Sequence, residues 1–432
     1  MSLPLESNYW LTTTSMPAGS PHSLPARVDV AIIGAGFTGL SAARRLAKNG
    51  AAVVVLEANR IGWGASSRNG GMVLAGLKLS AQTLLRRYGT GLARLLYASS
   101  LAAVDLVEEV VREERMQCSF SRCGYLEVAS KQSHFEAYAR SADLIAHEFH
   151  HPIRIIPRGE LPSEIASDLY FGGLLDDAGG GINPAQYVSA LARAAIEAGA
   201  SIYEQARVER LQRNSENGSA GFLLITGRGS LFAKDVLVAT SGYTSGATPE
   251  LKKKIVPIGS FIIATEPLPE SLTRELSPRK RMISDSRHYL HYYRLTPDNR
   301  MLFGGRAAFF PETQNTIRRS AEILRRGMIA VYPQLRDAKL EHAWGGTLDF
   351  CFDTMPHAGE INGIHFALGY AGHGVAMATY LGSKIAERMS GERVDIPFDK
   401  IPFPGAPLGL YNGRPWFLPL AGAYYRVLDW IS

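Results

Sequence analysis

The first hydrophobic pattern that commits the chain to a fold lies in residues 28–57. Residues 28–33 are a short apolar run rich in β-branched side chains, which predicts a buried strand. Residues 41–49 have helical spacing, with Leu40, Ala43 and Ala47 on one side and Arg44, Arg45 and Lys48 among the polar positions. Gly50 ends that helix. A second strand, 52–56, runs into the acid Glu57.

The same alternation continues. Residues 1–27 read as an extended lead-in, because Pro17, Pro21 and Pro25 oppose regular structure, and Tyr9 and Trp10 are expected to pack on the body. Helices are predicted over 92–115, 135–150, 184–198 and 316–332, with Asn183 as the cap of the third and a solvated basic face on the fourth. Strands are predicted over 123–129, 200–203, 206–211, 221–226 and 235–240, and a glycine-rich loop over 172–183. From 255 to 305 the pattern changes to short strands, 258–265, 282–285, 290–295 and 301–305, the last two forming a hairpin. The strand 363–368, the turn 369–374 and the helix 375–389 form a second strand–turn–helix unit. The expected fold is α/β: a Rossmann-type nucleotide-binding domain with a second, antiparallel-sheet α+β domain.

Chemistry enters at the turns. Gly34, Gly36 and Gly39 follow the first strand at G-x-G-x-x-G spacing. Gly34 permits the tight turn, Gly36 lets a pyrophosphate approach the backbone, and Gly39 lets helix and strand pack closely. The helix N-terminus offers free N–H groups to the phosphates. Glu57 lies roughly 20 residues beyond the glycines, where a carboxylate can accept hydrogen bonds from a ribose diol. The acid argues for FAD or NAD rather than NADP. The loop 60–72, with four glycines, Ser66, Ser67, Arg68 and Asn69, can lay backbone N–H groups along an extended ligand. At the second unit, His373 sits in a turn that aims another helix N-terminus at a bound group. The aromatic stretch 288–293 is expected on a strand, so only alternate members can share one pocket.

Bulk numbers narrow the class. A chain of 432 residues exceeds one core, so two domains are expected. Its net charge of +6 comes from 46 basic and 40 acidic residues that are mixed along the chain, which gives no stripe for nucleic acid. Cys118, Cys123 and Cys351 suit a reducing compartment, not a disulfide scaffold. His147, His150 and His151 read as surface histidines, and no metal is expected. Without a secretory signal or a run of about 18 apolar residues, a cytoplasmic protein is expected. The apolar tail 416–431 is expected to pack within the protein or a dimer, or to lie peripherally on a membrane.

Taken together, the glycine motif with Glu57, the loop 64–71 and the turn 369–374 resemble the FAD-dependent glycine/D-amino-acid oxidase superfamily. The stretches 235–242, 302–306 and 344–346 add to the likeness, and the branch it resembles most is the gamma-glutamylputrescine oxidase-like one. The resemblance implies a GR2-like FAD domain from 28–118, 176–254 and 340–395, a substrate domain from 119–175 and 255–339, an N-terminal segment 1–27 and a tail 396–432. It implies that Gly34, Gly36, Phe37, Thr38, Gly39 and Glu57 hold the ADP half, with Val208 at the adenine and Thr240 and Gly242 at the phosphates. Ser66, Ser67, Arg68, Gly70, Gly71, Gly346, Gly372, His373, Gly374 and Val375 would line the flavin. Tyr289, His291, Tyr293 and Trp344 would face substrate, with His373, Tyr293 and Arg68 as the catalytic set. The implied chemistry oxidises an amine C–N bond by hydride transfer to flavin N5, with dioxygen or another acceptor following. A membrane-associated dehydrogenase serving a quinone, and a nucleotide-binding scaffold without catalysis, are the other readings.

Two positions depart from the superfamily. Relatives that grip a small substrate carboxylate use a lysine and an arginine where this chain has Ala376 and Gly71, so a longer amine is expected. A lysine that speeds reaction with dioxygen in some oxidases falls at Leu302, which leaves oxidase and dehydrogenase close, with a lean to oxidase.

Overall fold

The computed structural model describes residues 6–216, 219–305 and 313–418, and builds them around two eight-stranded sheets. The first sheet has parallel strands in the order Ile364–Leu368, Gly229–Val238, Arg27–Ile33, Val53–Leu56 and Ser201–Tyr203. His357–Ile361 adds an antiparallel edge, and Val208–Glu216 with Ser219–Thr226 extend Gly229–Val238 as a meander. Val53–Leu56 and the neighbouring stretches 30–33 and 236–238 are apolar without interruption because both faces are covered there. Val30, Ile32, Val53 and Val55 pack under the helices Phe37–Lys48, Ala81–Glu113, Pro184–Glu197 and Gly374–Met389. Ala31, Ile33, Val54 and Leu56 pack on the opposite side with Phe222 and Leu224 of the meander.

The second sheet runs Leu340–Cys351, Ile255–Thr265, Met301–Gly305, His291–Leu295, Met282–Asp285, Tyr125–Val128, Gly172–Asp176 and Arg154–Pro157. One face is closed by the helix Gln314–Val331: Leu126, Ile263, Ile283, Tyr293 and Phe303 share a core with Ile317, Leu324 and Met328. The other face looks towards the first sheet's loops and is the one available to a site.

Several expectations shift here. The strand Leu340–Cys351 pairs along its length with Ile255–Thr265, so these residues belong with the second sheet, not with the nucleotide-binding segment begun at 340. The loop expected over 172–183 contains the strand Gly172–Asp176, whose pairing with Tyr125–Val128 is a long-range contact that local composition does not encode. The first helix starts at Phe37, directly on the glycine turn. The helix Ala81–Glu113 begins earlier than expected and breaks at Gly89, whose φ of 71° no regular helix adopts. It is long and apolar enough to cross a membrane by length and composition, yet Leu96, Val104 and Val107 are fully buried in the core. Tyr9 and Trp10 are buried on the body, as a short helical turn capped by Asn8. Of the apolar tail, Leu418 packs beside Val256 and Tyr411 while Trp416 is 64% exposed; residues 419–432, with the rest of that expected contact, lie outside the described residues.

The helices Phe37–Lys48 and Gly374–Met389 cross in direct backbone contact. A Cβ on Gly382 would lie 2.3 Å from the Thr38 carbonyl oxygen. Ser41 Oγ donates to the Thr379 carbonyl at 2.8 Å, and the Thr38 and Tyr370 hydroxyls are 2.6 Å apart. Gly382→Ala must therefore push the two helices apart. The expected loss is about 1–3 kcal/mol, read as a lowered urea midpoint with unchanged m-value. A midpoint equal to that of the parent would contradict the contact.

Candidate active site

Between the sheets lies a cavity of about 320 Å³ lined at one end by Glu57, Asn59 and Val208, then by Gly34–Thr38 and Thr240, and at the other by Ala65, Asn69, Gly372 and Val375. The glycine turn forms its middle wall. Gly34 has φ 109°, and a Cβ on Gly39 would sit 2.0 Å from the Gly34 carbonyl oxygen, so strand and helix approach as closely as the motif requires. Phe37 N donates to Ser66 Oγ at 3.0 Å, which ties the start of the helix to the loop 64–71. The next N–H groups of that first turn have no partner within the helix and are available to an anion. Glu57 accepts from Ala35 N at 2.9 Å and Asn59 N at 2.8 Å, so its carboxylate is held at the cavity end. Burial pushes its pKa up, against the pull of those N–H groups.

The loop 64–71 borders both this cavity and a second one, and four of its carbonyls are held by side chains from other segments. Asn8 Nδ2 donates to Ser67 O, Trp344 Nε1 to Arg68 O and Trp10 Nε1 to Asn69 O, at 2.9, 3.0 and 2.9 Å. Arg294, fully inside the protein, donates to Gly71 O at 2.8 Å and Ile182 O at 3.0 Å. With carbonyl oxygens as partners, burial pushes the Arg294 guanidinium down to about 10. Arg68 is itself engaged: it bonds the Trp63 and Gly345 carbonyls and Glu6, over the Trp63 ring.

The second cavity, about 440 Å³, shares Ala65, Asn69, Thr347, Leu348, Gly372 and Val375 with the first. Its remaining walls include Arg68, Gly70, Gly346, His373, Lys78, Tyr125, Glu127, Ser284, Asp285, Arg287 and Tyr292. The turn between the cavities is fixed by Asp349. Its carboxylate accepts from Gly369 N at 2.6 Å and Tyr370 N at 3.2 Å, and its carbonyl accepts from Ala371 N at 2.9 Å. Burial pushes the Asp349 carboxyl up to about 6. The His373 ring is pushed down to about 4, first by burial and then by the charge of Lys78, so it is neutral near pH 7.

The residues predicted from sequence divide clearly. Gly34, Gly36, Phe37, Thr38, Glu57, Ser66, Val208, Thr240, Gly372, Gly374 and Val375 line the first cavity. Arg68, Gly70, Gly346, Gly372, His373 and Val375 line the second. Gly39, Ser67, Gly71 and Gly242 line neither and act as backbone: a Cβ on Gly71 would lie 2.2 Å from Ile182 O, and one on Gly242 2.9 Å from Leu348 O. The proposed substrate set needs correction, since Tyr289, His291, Tyr293 and Trp344 are absent from both linings. Tyr293 is fully buried on the face closed by Gln314–Val331, bonded to the Tyr170 hydroxyl and stacked on Phe303. That burial removes it from the catalytic set. His291 packs on Phe303 from the same side, and Trp344 packs with Trp10 and Leu302. One residue along the strand, Tyr292 takes the cavity face instead. Lys78, Glu127 and Asp285 were missed because they come from three distant segments and carry no motif. Leu302 is buried and apolar-packed, and Arg306 lies outside the described residues. Among the described residues, Cys351, Asp353 and His357 are the one group close enough to offer a metal three ligands, and His357 Nε2 is already bonded to Asp353 at 3.0 Å.

Two outcomes follow from this geometry. A side chain on Gly36 would enter the cavity at Ser66 Oγ, 2.8 Å from its Cβ. Gly36→Val should therefore yield folded, colourless protein, and a full flavin absorbance would contradict the phosphate-turn assignment. His373 protonates near 6.5 when unfolded but only at about 4 when folded. The unfolded state then binds more protons in that window, so this histidine makes stability fall as pH drops from 6.5 towards 4. His373→Gln should show a smaller drop in Tm between pH 7 and pH 5 than the parent; an equal drop would contradict the buried neutral ring.

Comparison with known proteins agrees with this geometry. The family model described as FAD dependent oxidoreductase, DAO, matches residues 29–388. The chain is 32% identical over 412 residues to a probable oxidoreductase OrdL of Haemophilus influenzae, covering 93% of this chain and 92% of the relative. It is also 32% identical over 407 residues to the gamma-glutamylputrescine oxidoreductase of Escherichia coli, with 93% and 92% covered. Glycine oxidase from Geobacillus kaustophilus shares the fold, with a TM-score of 0.74, 21% identity, and 88% of this chain and 99% of that one covered. A helix N-terminus at an unobstructed glycine, a fixed acid at one end and a second glycine turn at the other fit the cofactor of that family. The chain belongs to the DAO family of FAD-dependent oxidoreductases and takes FAD as its cofactor.

Proposed function

We propose that the protein oxidises the C–N bond of a chain-extended amine, γ-glutamylated amines included. The observation that carries this reading is the second cavity, which meets the first along Ala65, Asn69, Thr347, Leu348, Gly372 and Val375. In the reaction the carbon beside the nitrogen gives up a hydride and the nitrogen a proton, leaving an imine; water then adds to the imine carbon and the C–N bond breaks, giving a carbonyl compound and ammonia or the shorter amine. Bound FAD supplies the two-electron acceptor, at ring nitrogen N5.

The protein's part is to orient the amine and keep it neutral. Tyr292 and Phe350 give the cavity aromatic walls, and burial of this kind disfavours an ammonium at the reacting end. His373 stands at the turn shared by both cavities and, held neutral by burial, adds no positive charge beside the reacting amine. The sites where relatives hold a small carboxylate are closed: Ala376 is buried within the helix and Gly71 backs onto the Ile182 carbonyl. The similarity to the gamma-glutamylputrescine enzyme supports a long substrate. Dioxygen is the favoured acceptor on that same branch likeness; with Leu302 packed away, a cation for it would come from Lys78 or the field of the helix after Gly374.

The test is anaerobic mixing of the holoenzyme with a panel of amines while flavin absorbance is followed. Extended primary or secondary amines should bleach the flavin, with sarcosine and glycine at least tenfold slower. Efficient bleaching by sarcosine or glycine, with none by longer amines, would overturn the proposal.

A further inference from the structure

Outside both cavities, the joint between the two sheets gathers three metal-ligating side chains. Cys351 is the last residue of Leu340–Cys351 in the second sheet, and His357 is the first of His357–Ile361 in the first. Asp353 lies in the turn between them. One ligand atom from each, the Cys351 Sγ, an Asp353 carboxylate oxygen and a His357 ring nitrogen, lie within 4.8 Å of one another. Cys351 is 2% exposed and His357 1%, while the Asp353 side chain is 12% exposed and gives the group its one edge towards water. Their bonding capacity is only partly used. Asp353 Oδ1 accepts from Met355 N at 3.2 Å and lies 3.0 Å from His357 Nε2, which leaves its second oxygen for another partner. His357 Nδ1 is buried without a partner, and Cys351 is a free thiol with no hydrogen bond among the described residues. The group is held from both sides: the His357 ring stacks on Phe403 at 4.1 Å, and a Cβ on Gly369 would lie 2.3 Å from Cys351 Sγ. Three charges act on the sulfur, those of Asp349, Asp353 and Lys254, and the Lys254 ammonium is itself bonded to the Phe403 carbonyl.

A buried free cysteine ordinarily packs as a small apolar side chain. Here the sulfur lies beside a carboxylate and an imidazole instead. Thiolate, imidazole and carboxylate together suit zinc, whereas calcium and magnesium take oxygen ligands. We propose that Cys351, Asp353 and His357 bind one Zn2+ ion, with a water on the Asp353 side as the fourth ligand. This departs from the metal-free expectation of the sequence, because the three ligands come together only at the joint. Zinc–ligand bonds of about 2.0–2.3 Å require the three atoms to draw in by roughly 1 Å. Coordination releases the thiol proton to solvent, and the two anionic ligands then balance the charge of the ion. None of the three residues lines either cavity, so the ion is a brace and not a reagent. It ties the end of the second sheet's edge strand to the edge strand of the first sheet. Asp349, two residues before Cys351, holds the Gly369 and Tyr370 N–H groups, so the brace stands directly behind the turn 369–374.

The test uses holoenzyme stripped of metal with a chelator, and then Zn2+ or Co2+ alone. Calorimetry should show one Zn2+ bound per chain. The Tm should rise with added Zn2+ and level off, because the ion binds the folded chain and not the assembled-from-nowhere ligands of the unfolded one. Co2+ should give tetrahedral bands in the red, clear of the flavin absorption, together with a thiolate charge-transfer band. Cys351→Ser should lose the charge-transfer band and bind Zn2+ at least tenfold more weakly, and His357→Gln should also lose at least tenfold, each at a flavin content equal to the parent's. Substoichiometric Zn2+ binding by the parent, a Co2+ spectrum without the thiolate band, or an unchanged Zn2+ affinity in both variants would overturn the site. The parent's stoichiometry and cobalt spectrum decide the site even where a variant fails to fold.

Discussion

The site depends on where the carbonyls of residues 65–71 point. A loop rich in glycine and serine has no intrinsic preference for one side, and its polar backbone groups must each find a partner once buried. Here Asn8, Trp10, Trp344 and Arg294 take the carbonyls of Ser67, Asn69, Arg68 and Gly71. These donors come from the N-terminal segment and from the second sheet. The loop is thereby held between two cavities as a partition, and the buried Arg294 has carbonyl dipoles to offset its desolvation.

That partition makes sense of the two sheets. The first sheet delivers the glycine turn and Glu57 to one end of an extended cavity and the turn 369–374 to the other. Gly39 and Gly382 let the strand and the two helices close on each other, which brings both helix N-termini to one ligand. The second sheet adds a floor, and Asp349, on its first strand in spatial order, reaches across to fix the Gly369–Tyr370 backbone. Cofactor and substrate spaces therefore meet at residues contributed by both sheets.

The nucleotide unit was readable from sequence because its signals are local: a strand, three spaced glycines, a helix and an acid within 28–57. The turn around His373 was readable for the same reason. The substrate wall was not. Period-two alternation in 288–293 says that Tyr292 and Tyr293 face opposite ways, but not which face the helix Gln314–Val331 closes, and Tyr293 and His291 lie on the closed one. The strand Gly172–Asp176 and the membership of Leu340–Cys351 in the second sheet depend on partners far away in the chain. Lys78 and Glu127 meet only through tertiary structure. Tyr9 and Trp10 were expected to pack on the body, yet nothing local indicated that Trp10 would hold the carbonyl of Asn69.

The claim that this partition governs the cofactor site is tested most directly by the affinity of apo-protein for FAD in two variants, Trp10→Phe and Arg294→Met. Each keeps most of the buried volume and deletes one donor to the loop. A hydrogen bond from a charged group contributes about 1.5–3 kcal/mol and a neutral one about 0.5–1.5 kcal/mol. FAD titrations should therefore show weakening of roughly tenfold or more for Arg294→Met and a smaller loss for Trp10→Phe, in protein whose far-UV circular dichroism matches the parent. Parent-like FAD affinity in both variants would contradict the account.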